Sequence, residues 1–131
     1  MIERADYCVL VVDDHEPTRY ATARALRAAG FRTIEAAAGA EALELAEYAS
    51  AVVLDVHLPD LLGFEVCRLL RANMGTASLP IVQVSAIYVT ERDRLVASEA
   101  GADAYMTAPV DYDALARTLD ELLARPSGGR A

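Results

Sequence analysis

The sequence contains no lysine. Its cationic side chains are twelve arginines set against twenty Asp and Glu, which leaves a formal charge of −8. That balance argues against a phosphate-backbone binder, because nucleic-acid affinity comes mainly from Lys and Arg neutralising phosphates. No direct nucleic-acid contact is expected. Cysteine is scarce as well: Cys8 and Cys67 fall inside apolar segments with no metal-ligand spacing. Both read as small buried hydrophobes, which suits a reducing cytoplasm. No apolar run approaches the roughly 18 residues that span a bilayer, and the N-terminus Met-Ile-Glu-Arg-Ala-Asp has no apolar signal core. The expectation is a soluble cytoplasmic protein with no membrane partner. Neither a GxGxxG nor a P-loop occurs, which weighs against nucleotide binding.

What remains is a chain of 131 residues, 54% of them apolar, the size of one domain with a real core. Tyr7 to Val12 is a continuous apolar run ending in Asp13-Asp14, and Ala51 to Leu54 is another ending in Asp55. Both read as buried parallel strands, which lack polar alternation. Pro80 to Val84 and Ala102 to Met106 read likewise, with Arg32 to Ala36 as a weaker strand. Between them the period becomes helical. Ala21, Ala25, Leu26 and Ala29 recur before Gly30, a C-terminal cap signal. Similar patterns occupy Ala40 to Tyr48, Gly63 to Ala72, Glu91 to Ala100 and Asp111 to Ala124. Residues 1–124 form the expected domain, and 125–131 read as a flexible tail or truncated linker.

Five strands alternating with five helices through short loops make an α/β fold, a doubly wound parallel sheet. Periodicity leaves the strand order open. In such sheets the working site lies beyond the carboxyl ends of the strands. Those ends deliver Asp13 and Asp14, then Asp55, then Ser85, then Thr107-Ala108-Pro109. Clustered carboxylates repel each other and resist ionisation unless a cation joins them. Oxygen donors without His or Cys at matching spacing favour Mg²⁺, which keeps several waters. Asp55 is the candidate nucleophile for an acyl phosphate. A neutral imidazole is a poor Mg²⁺ ligand, so His57 is expected to offer its backbone carbonyl. Taken singly, Asp13 or Asp14 would read as a helix N-cap, Ser85 as a turn residue and Tyr105 as a core aromatic.

The motifs Val-Val-Asp13-Asp14, Leu54-Asp55-Val-His57-Leu-Pro59, Gly63, Val84-Ser85-Ala86, Gly101-Ala-Asp103 and Tyr105-Met-Thr-Ala108-Pro109 are each weak. Their order and spacing are highly specific. Together they resemble the receiver domain of two-component response regulators, over Tyr7 to Leu123. The resemblance implies a flavodoxin-like sheet of order 2-1-3-4-5. It implies that Asp55 takes phosphate from a histidine kinase or phosphotransfer protein, with Mg²⁺ on Asp13, Asp14, Asp55 and the His57 carbonyl. Ser85 and Tyr105 would be the switch pair. The module would signal rather than act as an enzyme, and a homodimer through helix 4, strand 5 and helix 5 would use Arg92, Arg94, Asp113 and Arg117.

The chain departs from the family before the proline that follows strand 5, Pro109: the family has a lysine there and this chain has Ala108. A general preference for Arg would have put Arg there, and Ala removes the cation. Slow or atypical phosphorylation is therefore expected. Arg19 is a candidate substitute cation, read more simply as a solvated surface residue. The loop Ile87-Tyr88-Val89 is apolar beside a charged site and reads either as a partner surface or as filling over Ala108. Leu61-Leu62 replaces a more acidic segment. The alternative function is a phosphorylation-independent pseudo-receiver that binds proteins. An aspartyl phosphatase would want a second carboxylate where His57 stands. A Glu65-Val66-Cys67 helix and the non-lysine position also resemble receivers fused to hybrid sensor kinases, so a free-standing protein and such a module are equal expectations.

Overall fold

The computed structural model describes residues 2–86 and 90–125. After a short 3₁₀ turn at Arg4–Asp6 come β1 (Cys8–Val12), α1 (Glu16–Ala28), β2 (Arg32–Ala36) and α2 (Gly39–Leu45). A second 3₁₀ turn (Ala46–Tyr48) leads to β3 (Ala51–Asp55), α3 (Gly63–Ala72), β4 (Ile81–Ser85), α4 (Glu91–Ala100), β5 (Ala104–Thr107) and α5 (Tyr112–Leu123). The strands form one parallel sheet of order β2-β1-β3-β4-β5.

All five residues of β1 are buried, as a strand covered on both faces must be. Alternation then divides its side chains between two cores. Val9 and Val11 join Val53, Val82, Leu26, Leu115 and Leu119 beneath α1 and α5. Leu10 and Val12 join Val52, Leu54, Ile81, Val66 and Leu70 beneath α2 and α3. Each fully buried Val or Leu stabilises the fold by roughly 1.5–3 kcal/mol. Cys8 and Cys67 are both buried, Cys67 in the second of these cores, and burial pushes the Cys8 thiol up.

Several expected boundaries move for identifiable reasons. Tyr7 and Pro80 fall outside their strands, though the Pro80 carbonyl still accepts Val52 N–H at 2.9 Å. The helix expected to reach Tyr48 ends at Leu45 and closes with the 3₁₀ turn. The fifth strand begins at Ala104 rather than Ala102 and is only half-buried, because it lies at the sheet edge and pairs with β4 alone. Asp111 is the N-cap of α5, its Oδ1 accepting the N–H groups of Asp113 and Ala114. Of the expected tail, residues 126–131 lie outside the described residues, as does the Ile87-Tyr88-Val89 loop.

One charged group fastens the sheet's approach to β4. Arg71, near the end of α3, donates to the carbonyls of Gly101, Ala77 and Leu79 at 3.0, 3.2 and 2.6 Å and to Asp103 Oδ2 at 3.0 Å. Asp103 Oδ2 also accepts the first N–H of β4, from Ile81, at 2.8 Å. Gly101 ends α4 with φ +106, and an added Cβ there would sit 2.7 Å from Arg71 Cγ, so the guanidinium's path requires glycine twice over. Arg71→Ala would remove the nearer of two guanidiniums from a carboxylate that is only 3% exposed, leaving the Ile81 N–H and Arg125 at 3.9 Å among its partners. Breaking such a pair typically costs about 3–5 kcal/mol. Urea unfolding is expected to show a loss of that order for Arg71→Ala, with the denaturant slope unchanged.

Candidate functional site

The sheet's parallel order places the ends of β1 and β3 side by side, Val12 opposite Leu54. The residues that follow converge. Asp13, Asp14 and Asp55 each present a carboxylate oxygen within 4.8 Å of the other two. Asp13 and Asp55 are half-buried and Asp14 is exposed. The Asp13 carboxylate accepts His15 N–H at 2.9 Å, and the Asp55 carboxylate accepts His57 N–H at 3.3 Å. Neither aspartate caps α1. That role falls to His15, whose Nδ1 lies 3.4 Å from Thr18 N and 2.6 Å from Thr18 Oγ1.

Electrostatics follow from this crowding. Burial, and then the charges of Asp13 and Asp14, push the Asp55 carboxyl up to about 6, against the lowering effect of the His57 N–H. Asp13 is also pushed up, chiefly by burial. Arg19 does not supply the cation at Asp55, nor is it simply solvated: it donates to Glu35 at 3.1 Å and to the Asp13 backbone carbonyl at 2.9 Å. Its charge acts on Asp13 from outside the cleft.

The other expected residues stand around this centre. Ser85 ends β4 and is 1% exposed, and its carbonyl accepts Ala108 N–H at 2.9 Å. Ala108 therefore lies beside the acidic cluster, on a cis peptide to Pro109. Tyr105 is half-buried on the edge strand, away from the carboxylates. The Arg94 guanidinium stacks on its ring 5.4 Å from the centroid and donates to its carbonyl at 3.3 Å. Arg94, expected in a pairing between two copies, is thus engaged within its own chain.

The loop between Asp55 and α3 is held by contacts with no local sequence signal. Gly63 N–H donates to Val56 O at 2.7 Å, and His57 bridges Leu62. A Cβ on Gly63 would meet the Asp55 carbonyl oxygen at 2.3 Å, so α3 approaches the site backbone to backbone. Asp60 reaches across to α2, its two carboxylate oxygens accepting Gly39 and Ala40 N–H at 2.8 and 2.9 Å. These bonds hold its carboxyl below the usual range. Gln83, fully buried on β4, donates to Gly63 O at 3.3 Å. Asp60 and Gln83 were not singled out from sequence, since their partners lie about twenty residues away and no spacing rule links them.

Above the carboxylates opens a cleft of about 870 Å³ between α1 and the segment after β5. Among the described residues that line it, His15 and His57 are the basic side chains. Chemically, three converging carboxylates are a hard-oxygen set suited to a divalent ion.

Known proteins place this geometry. A family model described as response regulator receiver domain matches residues 9–120. The transcriptional regulatory protein GltR of Pseudomonas aeruginosa is 35% identical over 119 residues, covering 89% of this chain and 49% of GltR. The chain thus spans about half the length of that relative. Protein PilH of the same species is 30% identical, covering 88% of this chain and 97% of PilH. Among solved structures, the receiver domain of a sensor histidine kinase from P. aeruginosa PAO1, with magnesium coordinated in its active site cleft, matches with TM-score 0.82 and 27% identity. It covers 91% of this chain and 98% of that one. A CheY-like receiver from Methanospirillum hungatei matches with TM-score 0.80 and 26% identity, covering 89% and 93%.

Two outcomes are expected here. Gly63→Ala overpacks backbone against backbone, and unfolding is expected to show a loss of about 1–3 kcal/mol, with amide shifts at Asp55 and Val56. The second concerns pH. Because the folded-state pKa of Asp55 is raised, its contribution to stability is present below about pH 4 and is lost as pH rises through about 6. In chelator, Asp55→Asn is therefore expected to melt higher than the parent at pH 7. The gap should shrink as pH falls from about 6 to about 4.

Proposed function

The chain belongs to the response regulator receiver domain family, and on that premise we propose that Asp55 is its phosphoacceptor, served by a histidine kinase or phosphotransfer protein. The observation that carries this reading is the convergence of Asp13, Asp14 and Asp55 within 4.8 Å at the carboxyl ends of β1 and β3. In the proposed step an ionised Asp55 oxygen attacks phosphorus. The phosphorus–nitrogen bond of a phosphohistidine donor breaks, and the imidazole leaves with its electron pair and takes up a proton. Near neutral pH a carboxyl with a pKa of about 6 is mostly ionised and available for this.

Asp13, Asp14, Asp55 and the His57 carbonyl would hold Mg²⁺. The ion, when bound, screens the incoming negative charge and orients the phosphoryl oxygens. The donor set fits it: oxygen ligands, partly exposed, with room for waters. Ser85, at the end of β4, would donate its hydroxyl to the phosphoryl group. Tyr105 would report the change to the α4–β5–α5 face, which is also the face proposed for a homodimer. Residues 1–124 are the receiver, with 125–131 a tail or linker, acting in the cytoplasm as a signalling module and not as an enzyme. No described helix is long and apolar enough to cross a membrane.

Ala108 makes the reaction slow in this reading. An ammonium about 4 Å from Asp55 is worth on the order of 4 kcal/mol at an effective dielectric of 20, before desolvation. About a third of that corresponds to ten-fold in rate. Incubation with a small phosphodonor and Mg²⁺, followed by mass spectrometry, is expected to show slow addition of one phosphoryl group. Asp55→Asn should abolish it, chelator should suppress it, and Ala108→Lys should accelerate it by about ten-fold. Rapid stoichiometric addition to the parent chain would contradict the slow-switch reading.

The lack of a cation at Ala108 also favours a second reading, a pseudo-receiver that binds proteins without phosphorylation. Cellular signalling that survives Asp55→Asn would support it, and signalling lost with the fold intact would remove it.

A further inference from the structure

Gln83 is a long polar side chain at 0% exposure on β4, a strand paired on both sides. Strand alternation puts it on the same face as Ile81 and Ser85, and Ile81 belongs to the core beneath α2 and α3. An apolar side chain of similar volume would fill that place without taking an amide out of water. The amide is also incompletely used. Its Nε2 donates to Gly63 O at 3.3 Å, whereas its Oε1 has no hydrogen-bond partner among the described residues. Core packing alone does not account for such a residue.

The bond it does make reaches a particular place. Gly63 closes the loop that starts at Val56: its N–H donates to Val56 O at 2.7 Å, and it leaves no room for a Cβ against the Asp55 carbonyl oxygen. At the other end of the loop, Val56 N–H donates to Val84 O at 3.0 Å. Adjacent residues of β4 therefore hold both ends, Val84 through its backbone and Gln83 through its side chain. Between those ends lies His57, whose N–H donates to the Asp55 carboxylate at 3.3 Å. Ser85 follows directly on β4. As the first residue of α3, Gly63 also has the helix's own ladder for its carbonyl, so loss of the Gln83 amide would not orphan it.

We infer that Gln83 is a positioning residue for the Asp55 centre, its amide fixing the Val56–Gly63 loop, and with it the His57 carbonyl, relative to Ser85. This role rests on the proposed functions of Asp55, His57 and Ser85. The amide serves geometry at the expense of stability, so a variant should separate the two.

Gln83→Met nearly keeps the volume and removes the donor. Its urea midpoint is expected to equal or exceed the parent's, because an incompletely bonded amide leaves the core. Mg²⁺ affinity, followed by NMR titration, should fall about ten-fold, and phosphorylation by acetyl phosphate at saturating Mg²⁺ should slow by about as much. In chelator, the His57 amide and the Gly63 carbonyl carbon should shift. Gln83→Leu is the second variant, and in the parent the Gln83 side-chain amide protons should resist exchange and show a nuclear Overhauser effect to Gly63 Hα. Freely exchanging amide protons, unchanged Mg²⁺ affinity in a folded variant, or a midpoint that falls together with affinity would overturn the proposal. A parent that binds Mg²⁺ and takes no phosphate would defeat the phosphoacceptor reading, while the affinity loss in Gln83→Met would still support this one. Phosphorylation of the parent with Mg²⁺ affinity and rate matched by the variant would do the reverse. No Mg²⁺ binding by the parent would overturn both.

Discussion

The structure turns on an electrostatic conflict. The parallel pairing of β1 and β3 brings Asp13, Asp14 and Asp55 to one sheet edge, within 4.8 Å of one another. Half-burial raises the pKa of Asp13 and Asp55, and the neighbouring like charges add to it. Asp55 bears most of it, pushed up to about 6. In a chain without lysine, and with Arg19 committed to Glu35 and a backbone carbonyl, no Lys or Arg is among the described residues that line the cleft. A divalent ion is the occupant whose chemistry suits this oxygen-only cluster.

Holding such a cluster needs a rigid frame, and the frame is mostly apolar. The fully buried β1 and β3 residues fix where the strands end. Gly63 lets α3 touch the Asp55 backbone, and Asp60 ties the same loop to the start of α2. The Arg71–Asp103 contact anchors the start of β4, whose far end carries Ser85. Repulsion at the edge is thus opposed by packing and hydrogen bonds spread over several elements, as is common where function conflicts with stability.

Much of this was legible in the sequence. Continuous apolar runs ending in aspartates mark buried parallel strands and the edge at which they deliver their carboxylates. The spans of α3, α4 and β2 follow directly from periodicity and composition. The half-burial of β5 was not legible, because an edge strand and a central one share the same apolar residues and differ only in their neighbours. Nor were the roles of Asp60, Gln83 and Arg71, since each is fixed by a partner distant in the chain. The intrachain stacking of Arg94 on Tyr105 likewise depends on how α4 lies over β5. The width of the cleft escaped notice for a different reason: small residues at Ala21, Ala86 and Ala108 each look bland, and only their convergence makes a cavity.

The central claim is that Asp55 lies in an acidic centre awaiting a cation, and Mg²⁺ binding tests it most directly. Titration at pH 6 and at pH 8, followed by calorimetry in buffers of different ionisation heat and by NMR, reports both occupancy and proton release. The account predicts one ion per chain, with shifts centred on Asp13, Asp14, Asp55 and His57. About half a proton should be released at pH 6 and almost none at pH 8, because the ion binds the ionised carboxylate. No Mg²⁺-dependent shift at those residues, or binding with no proton release at either pH, would contradict it.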